Sequence, residues 1–387
     1  MTKKVSNWHT LAEQGDTEAQ FQLGEYYFSL RSDAETEEEE EKVSTQSAQW
    51  YTRAAEAGHV VAQRILGELY ECGICVEEDD IQAAKWYRRA AEQDDTHSQF
   101  RLADLLFDGG WNLEADEEEA LKWLTRAAEL GDTESQHRLA DCYLDGIYGV
   151  EENPAEAVKW FTRAAEAGYA ESQYRLGSAY QFGENIPQDS DAAVKWLTCA
   201  AEQNHSQAQC ALGILYLSEN DDQDEAVKWF KKAAKGGCGP AQYELGECYA
   251  SGTGVEEDEE KAFKWFKKAA KQNVAEAQYR LGLCYRHCLG TGYDQEKAAK
   301  WLRKAAENNN EEVRVLAQRA LLEHTVTARP EVCPECGSGD IRPILYGVPA
   351  EGCDTSKYIL GGISGERTAA SWGCGICHAA FILERIY

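Results

Sequence analysis

The sequence has no run of about eighteen apolar residues, which excludes a helix that crosses a membrane. No apolar stretch follows the two lysines of MTKKVSNWHTLAEQG, so no secretory leader is expected and a cytoplasmic location is the default. Delivery into a host cell is compatible with the same features. Basic residues are scarce: 39 Lys and Arg stand against 68 Asp and Glu, a formal net charge of −29. Such a surface repels phosphate backbones and anionic lipid and favours basic partners. From Arg329 to the end the balance is only −2, so the chain before it carries the other −27. No glycine-rich phosphate loop follows a strand, and no Ser or Cys nucleophile is patterned around the scattered histidines. An enzyme is therefore not expected. What the chain does have is apolar residues, 43% of the total and ample for a core.

Those apolar residues recur with a period. Trp50, Trp86, Trp123, Trp160, Trp196, Trp229, Trp265 and Trp301 each precede a pair of alanines four and five residues on, as in WYTRAAEAG and WFKKAAKQN. Upstream of each lies a second signature, [AS]-Q-x-x-L-[GA]-x-x-[YL], seen in AQFQLGEYY, SQHRLADCY and AQYRLGLCY. Eight linked copies define eight helix–loop–helix repeats. With the small residue of the first helix as position 0, positions 0, 1, 4, 5 and 8 fall within about 140° of one another at about 100° per residue. That face is the packing face. A Gly or Ala at position 5 lets a neighbouring helix approach closely, which offsets its poor helix propensity. Neither helix can bury its stripe within one repeat, so stacking of neighbours makes the core.

The pattern A-Q-x-x-L-G-x-x-Y…G-x-G-V…A-x-x-W-[YF]-x-x-A-A resembles the Sel-one-like repeat, a tetratricopeptide-related family, over roughly residues 8 to 310. The resemblance implies a mostly α fold, a right-handed α-solenoid that serves as a scaffold or adaptor for protein assemblies. Three departures stand out. The first repeat carries an acidic segment, about Arg31 to Gln46, expected to be a mobile loop. The sixth lacks the glycine loop. After Asn310 a helix at about 311–324 without the tryptophan signature is expected to cap the solenoid, which closes a first domain at residues 1–325.

Acidic runs recur where the chain enters the second helices: Glu77 to Asp80, Glu114 with Asp116 to Glu119, Glu151 with Glu152, Asp221 to Glu225, and Glu256 to Glu260. Carboxylates there cap free N–H groups and complement the macrodipole. Stacked, they would form a negative ridge that suits a basic partner. Positions 2 and 3 of the first helix point away from the packing stripe and are expected to line a groove. Phe100 with Arg101, His137 with Arg138, and Tyr174 with Arg175 place an aromatic or His beside an Arg in three consecutive repeats. Tyr243, Tyr279 and Arg280 extend the set. Aromatic and Arg side chains anchor many interfaces, so an extended peptide is the expected occupant. The same positions also suit packing between repeats.

From Pro330 the helical period stops. Cys333-Pro-Glu-Cys336 and Cys374-Gly-Ile-Cys377 are two knuckles, each able to aim two thiolates at one ion, and together they make a tetrahedral four-sulfur zinc site. DIRPILYG, KYILGG and HAAFILERIY read as strands of a small β zinc ribbon at 326–387. The resemblance here is to small bacterial zinc-ribbon modules. Four thiolates leave no open position, so one structural zinc is expected, with Cys353 and His378 as disfavoured alternative ligands. Among the other cysteines, Cys72 and Cys75 imitate a redox pair, but Cys75 aligns with the loop glycine Gly254. Cys284, His287 and Cys288 share a helix face without an evident fourth metal ligand. Cys142, Cys248 and Cys284 at position 7 read as small buried hydrophobes.

The composite expectation is a scaffold that binds a basic or extended protein or peptide. A nucleic-acid-linked regulator, and more remotely a hydrolase or thiol enzyme, are the alternatives. Metal analysis of the purified chain is expected to find about one zinc per molecule, lost on combining Cys374→Ser with Cys377→Ser. Zinc retained in that variant would mean other ligands.

Overall fold

A computed structural model describes residues 3–218 and 222–325, and the backbone of four short strands beyond them. The chain divides after Cys199 into two compact bodies, Met1–Cys199 and Ala200–Tyr387. The N-terminal body holds α1 (Lys3–Glu13), α2 (Thr17–Ser29), α3 (Glu37–Glu56), α4 (Val60–Cys72), α5 (Asp80–Ala91), α6 (Thr96–Asp108), α7 (Glu117–Glu129), α8 (Thr133–Asp145), α9 (Pro154–Glu166) and α10 (Ala170–Phe182). The division falls within α11 (Ser190–Glu202). The C-terminal body continues with α12 (Ser206–Ser218), α13 (Gln223–Lys235), α14 (Gly239–Ser251), α15 (Glu259–Lys271), α16 (Ala275–His287), α17 (Gln295–Ala306) and α18 (Glu311–Thr325). Even-numbered helices from α2 to α16 are the first helices of the eight repeats, and odd-numbered ones from α3 to α17 are the second.

Two interactions build each repeat. In six of the eight, the residue after the Trp packs directly on the position-5 glycine, while the third and fourth repeats carry Ala103 and Ala140 there. A Cβ added at Gly24, Gly67, Gly213 or Gly246 would come within 2.6–2.7 Å of the ring of Tyr51, Tyr87, Phe230 or Phe266. Glycine here is a requirement of close approach. Between repeats, the position-1 glutamine donates its Nε2–H to the carbonyl of the second alanine in the preceding helix. Gln20, Gln63, Gln99, Gln136, Gln173, Gln209, Gln242 and Gln278 all do so, at 2.9–3.4 Å. The last turn of a helix leaves its carbonyls unpaired, and these glutamines satisfy one of them. The position-4 leucines, Leu66, Leu102, Leu212, Leu245 and Leu281 among them, are fully buried beside these bonds.

The indoles face outward enough to take a cation. Arg53, Arg89, Arg126, Arg163, Lys232, Lys268 and Lys304, each three residues after its Trp, lie 3.7–5.8 Å from the ring centroid. The lysines at this end of the second helix thus stack on tryptophan as well as facing the negative end of the macrodipole.

The helix α1 is an extra second helix. Ala12 stands where later repeats carry the second alanine and Trp8 where they carry the residue after the Trp, and the Ala12 carbonyl takes the first glutamine bond. At the other end α18 buries Val313, Ala317 and Ala320 as the expected cap, while Val315 (55%) and Leu316 (45%) stay exposed on it.

The acidic segment of the first repeat is not the loop expected. Leu30–Asp33 forms a 3-10 turn and ETEEEEEK enters a helix of 20 residues, α3. Thr36 caps it by accepting the Glu39 N–H, and the four first-turn glutamates lie at the positive end of the dipole. Arg31 also holds Glu40 at 3.0 Å. Capping chemistry therefore overrides the charge repulsion on which the loop expectation rested.

Beyond α18 four strands are described by backbone: β1 (Ile341–Tyr346), β2 (Ile359–Gly361), β3 (Ser371–Cys374) and β4 (Ala380–Ile382). Their order is β2-β1-β3-β4, with β1 and β2 parallel and the other pairs antiparallel. Three coincide with stretches of strand-forming sequence, and β3 occupies a stretch that had no strand expectation.

Gly246→Ala is expected to destabilise the fold by about 1–3 kcal/mol through contact with Phe266, although alanine is the better helix former by about 1 kcal/mol. Urea titration followed by circular dichroism measures this. An unchanged or higher midpoint would show that the ring yields.

Candidate protein-binding face

The first helices are positioned by their caps. Asp16, Asp95 and Asp132 accept the N–H of Ala19, Ser98 and Ser135 at 2.7–2.8 Å, and His59 and His205 do the same through Nδ1 at 3.2 and 3.1 Å. Positions 2 and 3 lie beside the buried stripe and are at least partly exposed except at Cys210. Phe100, His137, Tyr174, Tyr243 and Tyr279 are half-buried, as are Arg101, Arg138 and Arg280, whereas Arg175 is exposed.

Position 2 has a definite neighbour, the N-cap residue of the next first helix. Phe21 stacks on His59 with centroids 4.6 Å apart. Arg64 reaches Asp95 at 3.5 Å. The His137 ring lies 5.3 Å from Tyr169, with its Nδ1 2.9 Å from the Ser172 hydroxyl and its Nε2 3.4 Å from Asp141. Burial holds the His137 imidazole below its usual range, with Asp141 opposing the shift.

Position 3 is largely engaged. Arg101 pairs with Glu71 of the preceding repeat, whose carboxylate also accepts the Tyr87 hydroxyl at 2.6 Å. Arg138 lies 3.4 Å from Asp104, again one repeat back, and Arg280 grips Glu247 through two nitrogens. Arg175 differs: Glu171 of its own helix lies at 4.0 Å, and its side chain is 48% exposed. The row is therefore an alternation of acids and arginines, with its available cation at Arg175.

Two features were not drawn from the sequence. In the seventh repeat Glu244 replaces the position-3 arginine. It is half-buried and takes no cationic partner among the described residues. Burial, reinforced by Glu247 and Glu276, pushes its carboxyl up to about 7. The break in the arginine column was the available signal. On the loop edge, Trp111 is 70% exposed because its loop is clamped through the backbone. Its N–H donates to Asp80 Oδ2 at 2.8 Å, and Asn112 bonds Asp79 and the Asp80 N–H at 3.0 Å each. It is a tryptophan out of phase with the others.

The acidic runs act as caps. Asp79, Asp116, Asn153, Asp222, Asp258 and Asp294 each accept an N–H three residues on, at the start of a second helix.

The repeat model described as Sel1 repeat matches eight consecutive segments, 17–59, 60–95, 96–132, 133–169, 170–205, 206–238, 239–274 and 275–310. The chain belongs to the Sel1 repeat family. Among solved structures it is similar to a protective antigen of uropathogenic Escherichia coli with an SLR fold, at 32% identity and a TM-score of 0.72, over 84% of this chain and 68% of that one. A Sel1 repeat protein from Oxalobacter formigenes is 30% identical with a TM-score of 0.65, over 83% of this chain and 91% of that one. No curated protein matches.

In this Sel1 repeat protein Cys75 has φ 64°, the conformation of Gly254 at φ 63°, so the loop alignment holds. Burial raises Cys142 and Cys248 to about 11 and Cys284 to about 12, as inert thiols require. No trio of His, Cys, Asp and Glu is arranged to hold a metal among the described residues. Cys333, Cys336 and Cys377, like the alternative ligands Cys353 and His378, lie outside them, and Cys374 ends β3. No described helix is long and apolar enough to cross a membrane.

Because Glu244 is raised in the folded state, its contribution to stability is present at acid pH and lost as pH rises through about 7. Glu244→Gln is expected to remove that loss and to stabilise the protein at pH 8 relative to pH 5 by on the order of 1–3 kcal/mol. Urea midpoints at the two pH values measure it, and parallel behaviour of both proteins would contradict it.

Proposed function

We propose that this protein is a non-enzymatic scaffold that holds an extended segment of a partner protein along the first helices of repeats three to five. The observation that carries it is the half-exposed row Phe100, His137 and Tyr174, with Arg175 exposed at its end. Rigid aromatics provide contact area at little entropic loss, and an accessible guanidinium provides a directional anchor for a carboxylate or carbonyl. Arg101 and Arg138 have a second task in this scheme, which is to tie neighbouring repeats so that the aromatic row stays in register. Tyr243, Tyr279 and Arg280 form a corresponding but separate face in the C-terminal body. Sel1 repeat proteins generally act as protein-interaction scaffolds, which is consistent with this assignment. The described cysteines are free thiols, in keeping with a reducing, cytoplasmic setting.

We further propose that Cys333, Cys336, Cys374 and Cys377 hold one structural zinc in a β module that offers a second contact. Support comes from strand register. Cys374 is paired with Ile341, the first residue of β1, so the second knuckle begins where β1 starts, a few residues after Cys336 in the chain. A four-thiolate ion there would staple a small sheet. The nucleic-acid alternative has no comparable support, since one residue of most acidic runs already serves as a helix cap.

Arg101 and Arg138 hold acids of the preceding repeat, so their removal would disturb the frame. Tyr174→Ala with Arg175→Glu leaves those two ion pairs in place and is the discriminating variant. Crosslinking pull-down from native lysate is expected to recover a defined protein set with the parent chain and to lose it, by about tenfold or more, with the variant. The same set at the same yield would refute the face.

A further inference from the structure

The column that pairs position 2 with the next N-cap produces one juxtaposition unlike the others. In repeat six position 2 is Cys210, on α12, and the N-cap that follows is Cys238, ahead of α14. Cys238 packs against the cluster that contains buried Cys210. The geometry that sets Phe21 on His59 and Arg64 on Asp95 therefore sets thiol on thiol here.

The surroundings make the two sulfurs unequal. Cys210 is buried, and its thiol is the neighbour that acts most strongly on Cys238. Cys238 stands at the N-cap, the place of Asp16, Asp95 and Asp132 in three other repeats, at the positive end of a helix of 13 residues. The Cys210 thiol, with the neighbouring His205 imidazole, favours its thiolate and holds Cys238 below the ordinary thiol range against the upward push of burial. The proximity of Cys238, with burial, pushes Cys210 far up. Cys238 is also approachable. It is half-buried on a glycine-rich turn, and a Cβ added at the adjoining Gly237 would meet nothing within 4 Å.

We propose that Cys210 and Cys238 are a reactive dithiol that hydroperoxides oxidise to a reversible disulfide joining repeats six and seven. In the first step the Cys238 thiolate attacks the peroxide oxygen. An S–O bond forms, the O–O bond breaks, and the leaving oxygen departs as hydroxide (or alkoxide), carrying away the negative charge of the thiolate. In the second the Cys210 sulfur, losing its proton, attacks the Cys238 sulfenic sulfur, and water leaves. Two thiols lose two electrons and one peroxide gains them. The assignment is independent of the peptide-binding face on repeats three to five.

The full chain, reduced and freed of reductant, is treated with limiting hydrogen peroxide, alkylated and mapped by mass spectrometry. The peptides of Cys210 and Cys238 are expected to be joined. Cys210→Ser is expected to leave a sulfenic acid on Cys238 that dimedone traps, and Cys238→Ser to leave Cys210 unoxidised. In the unmodified chain at neutral pH, Cys238 is expected to alkylate about tenfold faster than the exposed Cys72, a comparison that needs no variant to fold. Oxidation that spares this pair, or alkylation of Cys238 no faster than that of Cys72, would overturn the proposal.

Discussion

The hydrogen bond from each position-1 glutamine to the last-turn carbonyl of the preceding helix governs how one repeat follows another. It is made at every junction, beginning with Gln20 to Ala12 and ending with Gln278 to Ala270. Both partners are buried, so a repeat displaced by even one residue would strand a carbonyl and an amide away from water. The alanine pair keeps the second helix thin enough for the glutamine to reach, and the position-5 glycine lets the aromatic after the Trp settle against the first helix. Other contacts vary around these. The indole takes Arg in some repeats and Lys in others, and the cap is Asp, Asn or His.

That constancy makes the variable columns informative. Positions 2 and 3 lie next to the fixed bonds, so whatever occupies them is held at a set distance from the next repeat. An aromatic beside a histidine gives a stack, an arginine beside an acid gives an ion pair, and a cysteine beside a cysteine gives a dithiol. One scaffold rule thus yields packing, electrostatic ties and reactive chemistry from different letters. The arginines of the expected groove fit this logic. Arg101, Arg138 and Arg280 are one half of inter-repeat pairs, and only Arg175 is largely available. Exposed pairs of this kind contribute roughly 0–1 kcal/mol each, so their main effect is orientation rather than stability.

The acidic character follows the same frame. Carboxylates concentrate where second helices begin, and the structure gives a capping partner to one in most repeats. The first repeat takes this furthest, since Thr36 and the glutamates after it extend α3 rather than a loop. Charge repulsion among neighbouring glutamates is weak beside N–H groups and a dipole that need negative charge.

Periodicity alone determined the eight repeats, the packing stripe, the close-approach glycines and the capping helix, because each depends on spacing along one helix and on residue size. It also marked Cys75 as a glycine substitute and Cys142, Cys248 and Cys284 as core thiols. Tertiary structure decided what crosses between repeats. The partner of Arg101 is 30 residues away and that of Arg280 is 33, and nothing in local sequence says which acid will be within reach. The extra second helix at Trp8 was legible only after the glutamine bond showed what it was for. Cys210 and Cys238 belong to different columns of the repeat and meet only because position 2 of one helix lies against the cap of the next.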